Sequence, residues 1–291
     1  MDFAKLHGLG NDFLIVRVGE PGGAQRTLAS LARSACHRHL GVGADGVVFY
    51  QPTVGDREAE VSALIFNADG SRAEMSGNGV RCLAAWLCLS GRNTSGTVRV
   101  RTVSGVKTLM LQQRDGKVFT FESSMGHPIT EPERIPLRPG PASGPAVDWQ
   151  LTVGQESVPI TAVSMGNPHC STFWADITMA PIDALGPLLE NHPSFSNRTN
   201  VEFIQVIDSH HLRVRFWERG VGRTLSSGTG SSAAAVAAIL TRRAGSPVRV
   251  ETELGSLLVR WDPPNELFLS GPAEFICSGS YAEGDASTDT T

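Results

Sequence analysis

Apolar residues in this chain fall mostly in short runs broken by glycine and polar turns. Residues 3–7 and 13–18 flank Gly8-Leu9-Gly10-Asn11-Asp12, a strand–turn–strand signature. Apolar positions over 28–39 recur at helical spacing before a stop at Gly41. Strands are predicted at 46–50 and 62–67, then an apolar helix over 80–89. Residues 97–102, 106–113 and 117–122 read as an antiparallel meander turning at Gly105 and Asp115-Gly116. The proline-rich stretch 128–145 reads as a connecting loop. Beyond it come strands at 160–165, 201–207 and 212–217, with a helix near 182–191. A helix of small residues over 232–243 precedes strands at 248–252, 256–261 and 266–270. Residues 278–291 carry almost no apolar side chains and are expected to be a disordered tail.

An internal repeat sets the expected architecture. Ser76-Gly77-Asn78-Gly79 before the first apolar helix matches Ser227-Gly228-Thr229-Gly230 before the second, 151 positions later. At that offset Phe66 aligns with Trp217 and Asn67 with Glu218, so the entering strands match too. Two copies of strand, polar loop, Ser-Gly-x-Gly and helix imply two similar domains facing each other. Their expected extents are 1–118 with 266–277, and 119–265.

Composition narrows the function classes. The 291 residues can form two domains of ordinary size, and 41% hydrophobic against 19% charged residues excludes a disordered or fibrous chain. A net charge of −4 with no basic half argues against a nucleic-acid partner. The longest apolar runs are too short for a membrane span, and the N-terminus lacks a secretory signal, so a cytoplasmic protein is expected. Five scattered cysteines fit reduced thiols in that compartment.

The candidate chemistry sits in the glycine clusters. Each Ser-Gly-x-Gly loop opens a helix, where free N–H groups and the positive dipole end attract an anion. Glycines let a ligand approach the backbone closely. Either loop alone reads more plainly as a serine N-cap, but two related loops point to a shared carboxylate. Residues 41–46 and 228–233 fit dinucleotide-binding patterns in the wrong context, the first after a helix and the second without a full βαβ unit. No nucleophile elbow occurs, and neither residues 36–39 nor His210-His211 has metal-ligand spacing. No metal or cofactor is expected.

Several longer motifs carry a family resemblance. Lys5-Leu6-His7-Gly8-Leu9-Gly10-Asn11-Asp12-Phe13, residues 41–46, and residues 66–71 through Gly77-Asn78-Gly79-Val80-Arg81-Cys82 are similar to diaminopimelate epimerase. So are Met165-Gly166-Asn167-Pro168-His169-Cys170, Arg198-Thr199-Asn200, and Trp217-Glu218-Arg219-Gly220 through Gly230, in order from residue 3 to about 276. The resemblance implies an α/β (α+β) chain of two pseudo-symmetric domains, each a β-barrel-like sheet around a central helix, with the substrate between them. It also implies a homodimer and a cofactor-independent proton transfer that interconverts LL- and meso-diaminopimelate, for lysine and peptidoglycan synthesis.

By the same resemblance, two cysteines exchange the α-proton, and both of their positions hold serine here: Ser76 and Ser227. His169 and Glu218 match groups that assist them. Asn11, Asn67, Asn78, Asn167 and Asn200 match positions that hold the substrate's polar groups, and Glu218 and Arg219 match the pair at its distal end. Gly77, Gly228 and Thr229 supply loop N–H groups. A thiol ionises near pKa 8.5 and a hydroxyl several units higher. A four-unit deficit costs on the order of 5 kcal/mol, roughly 10⁴ in rate, so a slow or inactive epimerase is expected. An engineered Cys→Ser pair and a natural relative with altered chemistry both fit the sequence. A non-catalytic amino-acid-binding homologue and an isomerase of another amino acid are the alternative functions.

Overall fold

The computed structural model describes residues 1–19, 25–73 and 75–282. Its strands and helices in chain order begin with β1 (Asp2–Gly8), β2 (Asn11–Arg17), α1 (Gln25–Cys36), β3 (Gly46–Pro52), β4 (Val61–Asn67), β5 (Arg72–Ala73) and α2 (Gly77–Leu89). There follow β6 (Thr97–Thr102), β7 (Gly105–Asp115), β8 (Val118–Gly126), β9 (Trp149–Val153), β10 (Glu156–Ser164), β11 (Pro168–Phe173) and α3 (Ile182–Glu190). The chain ends with β12 (Asn200–Asp208), β13 (His211–Glu218), β14 (Gly222–Thr224), α4 (Gly228–Leu240), β15 (Val248–Thr252), β16 (Gly255–Arg260) and β17 (Leu267–Ser280). It divides into two compact units: Met1–Ser123 with the chain from Pro272 onward, and Ser124–Gly271.

In the first unit, pairing runs β1-β2-β3-β4-β6-β7-β8-β17 and returns from β17 to β1, a barrel-like closure. β2 pairs parallel to β3, with Phe13 opposite Gly46, and Gly46 faces Asn67 on β4. Helix α2 is the core element. Val80, Cys82, Leu83, Ala84, Ala85 and Leu87 are buried against Phe13, Ile15, Val48, Phe119 and Phe121. The intervening strand residues Leu14, Val16, Val47 and Phe49 pack the other way, with Ala32, Ala35 and Cys36 of α1. Strands covered on both faces read as continuous apolar runs, which is why 13–18 and 46–50 show no alternation.

The second unit repeats this order. β10-β11-β12-β13-β15-β16-β17 pair in sequence, with two parallel steps as in the first unit: β11 to β12, where His169 lies opposite Asn200, and β13 to β15. Helix α4 lies against β10, β11, β12, β13, β15 and β16. Its run Gly230–Ala238 is buried on all sides, and its small residues let the surrounding strands come close. Both the strand-rich α+β class and the barrel-around-a-helix design agree with the sequence expectation.

Four strands escaped the sequence reading: β5, β9, β11 and β14. β11 matters most, because it opens at Pro168 inside a Gly-Asn-Pro turn signal, and a proline is tolerated at the first residue of a strand. The expected disordered tail needs correction over its first residues. Ser278, Gly279 and Ser280 extend β17 and pair with Ala4, Phe3 and Asp2 of β1, so backbone bonding rather than apolar burial holds them. Residues 283–291 lie outside the described part.

Candidate active site

Within the first unit, Ser76 caps α2. Its Oγ accepts from the Gly79 N–H at 3.1 Å, which satisfies one of the free donors of the first turn. Gly79 is a packing requirement, since a Cβ there would lie 3.2 Å from Val48 Cγ2 and 3.4 Å from Phe13 Cε1. Gly77 is different. A Cβ at that position would meet only Arg81 Nη1 at 3.6 Å, and its φ is not left-handed. Nothing in the fold demands glycine there, whereas a bare backbone N–H at a helix start suits an arriving anion.

Asn78, in the same turn, donates from Nδ2 to Asn11 Oδ1 at 3.1 Å, and Asn11 Nδ2 donates to Asp45 Oδ2 at 2.8 Å. Behind them, Arg38 bridges Asp12 (2.9 Å) and Asp45 (2.7 Å), and Lys5 Nζ lies 3.1 Å from Asp12. Burial alone would raise the Asp12 carboxyl, but the Arg38 and Lys5 bonds outweigh it and hold it below the usual carboxylate range. Asn67, at the exposed end of β4, donates to Ser71 Oγ at 2.9 Å rather than to Asn11 or Asn78.

The second unit builds the matching loop. Ser227 Oγ accepts from the Gly230 N–H at 3.3 Å and donates to Glu218 Oε2 at 3.3 Å. The latter is long for a hydroxyl, whose bonds centre on about 2.7–2.8 Å. Thr224 Oγ1 holds the other Glu218 oxygen at 2.6 Å. Gly230 presses on a strand aromatic as Gly79 does: a Cβ would lie 2.8 Å from Phe216 Cδ1. Gly228, like Gly77, is open, with only Leu269 Cδ2 at 3.5 Å. The two serines therefore differ. Ser227 has a carboxylate partner in its own unit, while Ser76 Oγ has no acceptor among the described residues of its unit.

His169 and Glu202 form a pair whose side chains are each 1% exposed, with Nδ1 2.6 Å from Oε1. Ser171 Oγ donates to Glu202 Oε2 at 3.0 Å, and His169 Nε2 faces Asn167 Oδ1 at 2.9 Å. Burial pushes the Glu202 carboxyl up, against the lowering pull of His169 and Ser171. Asn200 is also committed: Nδ2 donates to Pro168 O at 2.9 Å and Oδ1 accepts from the Arg219 N–H at 3.0 Å. Arg219 Nη1 donates to Asn197 O at 2.9 Å.

Glu190, the last residue of α3, organises this edge. Its Oε1 accepts from Arg198 Nη1 (2.9 Å) and the Gly220 N–H (2.8 Å), and its Oε2 from Trp217 Nε1 (2.7 Å). It thereby grips the segment that carries Glu218 and Arg219 from both ends. Sequence reasoning missed Glu190, Glu202 and Asp45 as partners of these side chains, since a single acidic residue carries no spacing signal.

Thus Asn11, Asn67, Ser76, Gly77 and Asn78 stand at one edge of the first unit. Asn167, His169, Asn200, Glu218, Arg219, Ser227, Gly228 and Thr229 stand at the corresponding edge of the second. Among the described residues no group of His, Cys, Asp and Glu is arranged to hold a metal, and no helix is long and apolar enough to cross a membrane.

Residues 3–130 and 161–276 match a family model described as diaminopimelate epimerase. The diaminopimelate epimerase of Pelotomaculum thermopropionicum is 43% identical over 281 residues, covering 97% of this chain and 99% of that protein. That of Synechocystis sp. is 44% identical over 284 residues, covering 96% and 98%. Among solved structures, a phenazine biosynthesis protein of the PhzF family from Bacillus anthracis aligns with a TM-score of 0.66 at 14% identity, covering 97% of this chain and 99% of that one. A probable proline racemase from Agrobacterium radiobacter aligns with a TM-score of 0.65 at 17% identity, covering 98% and 94%. These structures share the fold. The chain belongs to the diaminopimelate epimerase family of isomerases.

Proposed function

We propose that this protein recognises diaminopimelate through a diaminopimelate epimerase site in which Ser76 and Ser227 occupy the positions of the proton carriers, and that it turns the substrate over slowly. The observation that carries this reading is the pair of open glycines, Gly77 and Gly228. Each follows a capping serine at a helix start and has no packing or φ requirement for lacking a Cβ. A carboxylate bound to such N–H groups is stabilised as negative charge builds at the neighbouring carbon, the electrostatic role of an oxyanion hole.

Exchange at an α-carbon needs a carrier for each face, one group removing the proton and the other returning it. Each unit offers one hydroxyl. Ser227 can pass its proton to the Glu218 carboxylate, which already accepts from it. By the family match His169, held by Glu202 at Nδ1 and by Asn167 at Nε2, is the second assisting group. A hydroxyl nevertheless ionises several units above a thiol, so chemistry rather than binding is the slow part. Asn11, Asn67, Asn78, Asn167, Asn200, Thr229 and Arg219 supply the polar lining that a substrate with two amino-acid ends requires. Homodimerisation and a reducing cytoplasm, which suits five unpaired cysteines, belong to the same reading.

Isothermal titration of the protein with LL-diaminopimelate, meso-diaminopimelate and lysine tests the proposal. Saturable binding of both diaminopimelate isomers with markedly weaker lysine binding is expected. Equal affinity for all three, or none for any, contradicts it.

A further inference from the structure

Arg81 is an unusual residue in the core of the first unit. It is 2% exposed, no carboxylate among the described residues pairs with it, and its Nε has no hydrogen-bond partner. It also lies in the second turn of α2, near the positive dipole end, where a cation is disfavoured. Desolvation pushes its guanidinium down to about 10, and it stays charged at neutral pH. A buried cation is costly unless its donors are met, so the one side-chain bond that Arg81 makes among the described residues calls for an explanation. That bond goes from Nη2 to Asn78 Oδ1.

From that bond the polarity of a whole chain follows. A guanidinium only donates, so Asn78 must turn its carbonyl oxygen towards Arg81 and its NH2 towards Asn11. Asn11 then meets Asn78 with its own oxygen, at 3.1 Å, and its NH2 meets Asp45 Oδ2 at 2.8 Å. An ionised carboxylate only accepts, so the far end is fixed as well. A cation at one end and an anion at the other leave each amide a single orientation. Gly8 keeps the chain aligned, since a Cβ there would lie 3.0 Å from Asn78 Oδ1.

We infer that Arg81 and Asp45 are positioning residues that pin Asn78 and Asn11 in one amide orientation, so that both offer a spare N–H, and no carbonyl oxygen, to a substrate carboxylate. The inference rests on the diaminopimelate reading for its ligand but not for its geometry. A flipped amide would present its carbonyl oxygen to that carboxylate and repel it.

The side-chain NH2 resonances of Asn11 and Asn78 in ¹⁵N-labelled protein give a readout that needs no substrate. The unaltered protein should show one set for each amide. Asp45→Asn removes the obligate acceptor, and a second set or exchange broadening at Asn11 is expected. Arg81→Met should do the same at Asn78, and Arg81→Lys should restore one set. Asp45 is partly exposed and outside the core, so it serves if Arg81→Met does not fold. LL-diaminopimelate affinity should fall about tenfold in Asp45→Asn and Arg81→Met and recover in Arg81→Lys. Unchanged amide resonances in a folded Asp45→Asn protein overturn the inference, as does unchanged affinity in both disruptive variants. Altered resonances in a protein that ignores LL-diaminopimelate from the outset support the pinning and overturn the substrate reading instead.

Discussion

Replacing Glu190 by glutamine is the sharpest test of how the Glu218 segment is held. The carboxylate is buried and accepts three donors: Arg198 Nη1 at 2.9 Å, the Gly220 N–H at 2.8 Å and Trp217 Nε1 at 2.7 Å. Glutamine keeps one accepting oxygen, but its NH2 must face a donor on the other side. If the oxygen stays with Gly220 and Arg198, the NH2 confronts the indole N–H. If it turns, the Gly220 N–H loses its partner. Arg198 is half-exposed and can turn to water, so its share is discounted. One or two stranded donors at about 1–3 kcal/mol each put the loss near 2–4 kcal/mol. At about 2–4 °C per kcal/mol, far-UV circular dichroism melts should fall by roughly 5–15 °C. A Glu190→Gln protein that melts within about 1 °C of the parent would refute the clamp.

Further predictions concern the caps, the glycines and pH. Gly230→Ala should cost about 1–3 kcal/mol because its Cβ would lie 2.8 Å from Phe216 Cδ1, while Gly77→Ala should leave urea-unfolding midpoints nearly unchanged. Equal midpoints would show that the two glycines are not divided between packing and ligand approach. Ser76→Ala and Ser227→Ala should each lose about 1 kcal/mol of stability as caps, since each Oγ accepts an N–H of its helix's first turn. The Glu202 carboxyl is raised on folding by burial, so the folded protein holds its proton more tightly than the unfolded chain. Its contribution is present at low pH and fades as pH rises above the ordinary carboxylate value of 4.5 towards the raised one, and Glu202→Gln should flatten that slope in unfolding free energy. Asp12 works with the opposite sign: its lowered carboxyl contributes stability above 3.8 that is lost as pH falls further. An unfolding profile with the same slope in Glu202→Gln would contradict the buried-pair account.

Much of this architecture is legible in the residues, and the gaps have physical causes. The Ser-Gly-x-Gly repeat places both helix starts, and the strand before each loop ends at Asn67 and Glu218 as the 151-position offset implies. β11 is hidden because Asn167-Pro168 looks like a turn, yet it carries His169 into a buried pair. β17 outruns its apolar stretch because edge-to-edge pairing with β1 needs backbone groups and not side-chain hydrophobicity. The long-range partners are the least legible. Asp45 reaches Asn11, Glu202 reaches His169 and Glu190 reaches Trp217 across 34, 33 and 27 positions, set by strand register that no local pattern encodes. Similarly, one sequence pattern contains both the packing glycines and the open ones, and only the neighbouring Phe13, Val48 and Phe216 side chains separate them.

The most direct test of the whole account is proton NMR of LL-diaminopimelate in D₂O, comparing this protein with its Ser76→Cys/Ser227→Cys variant. The account predicts rapid loss of the α-proton signal with the cysteine variant and a rate lower by roughly 10⁴ with the protein itself. Fast exchange by the serine protein, or no exchange by either, would contradict it.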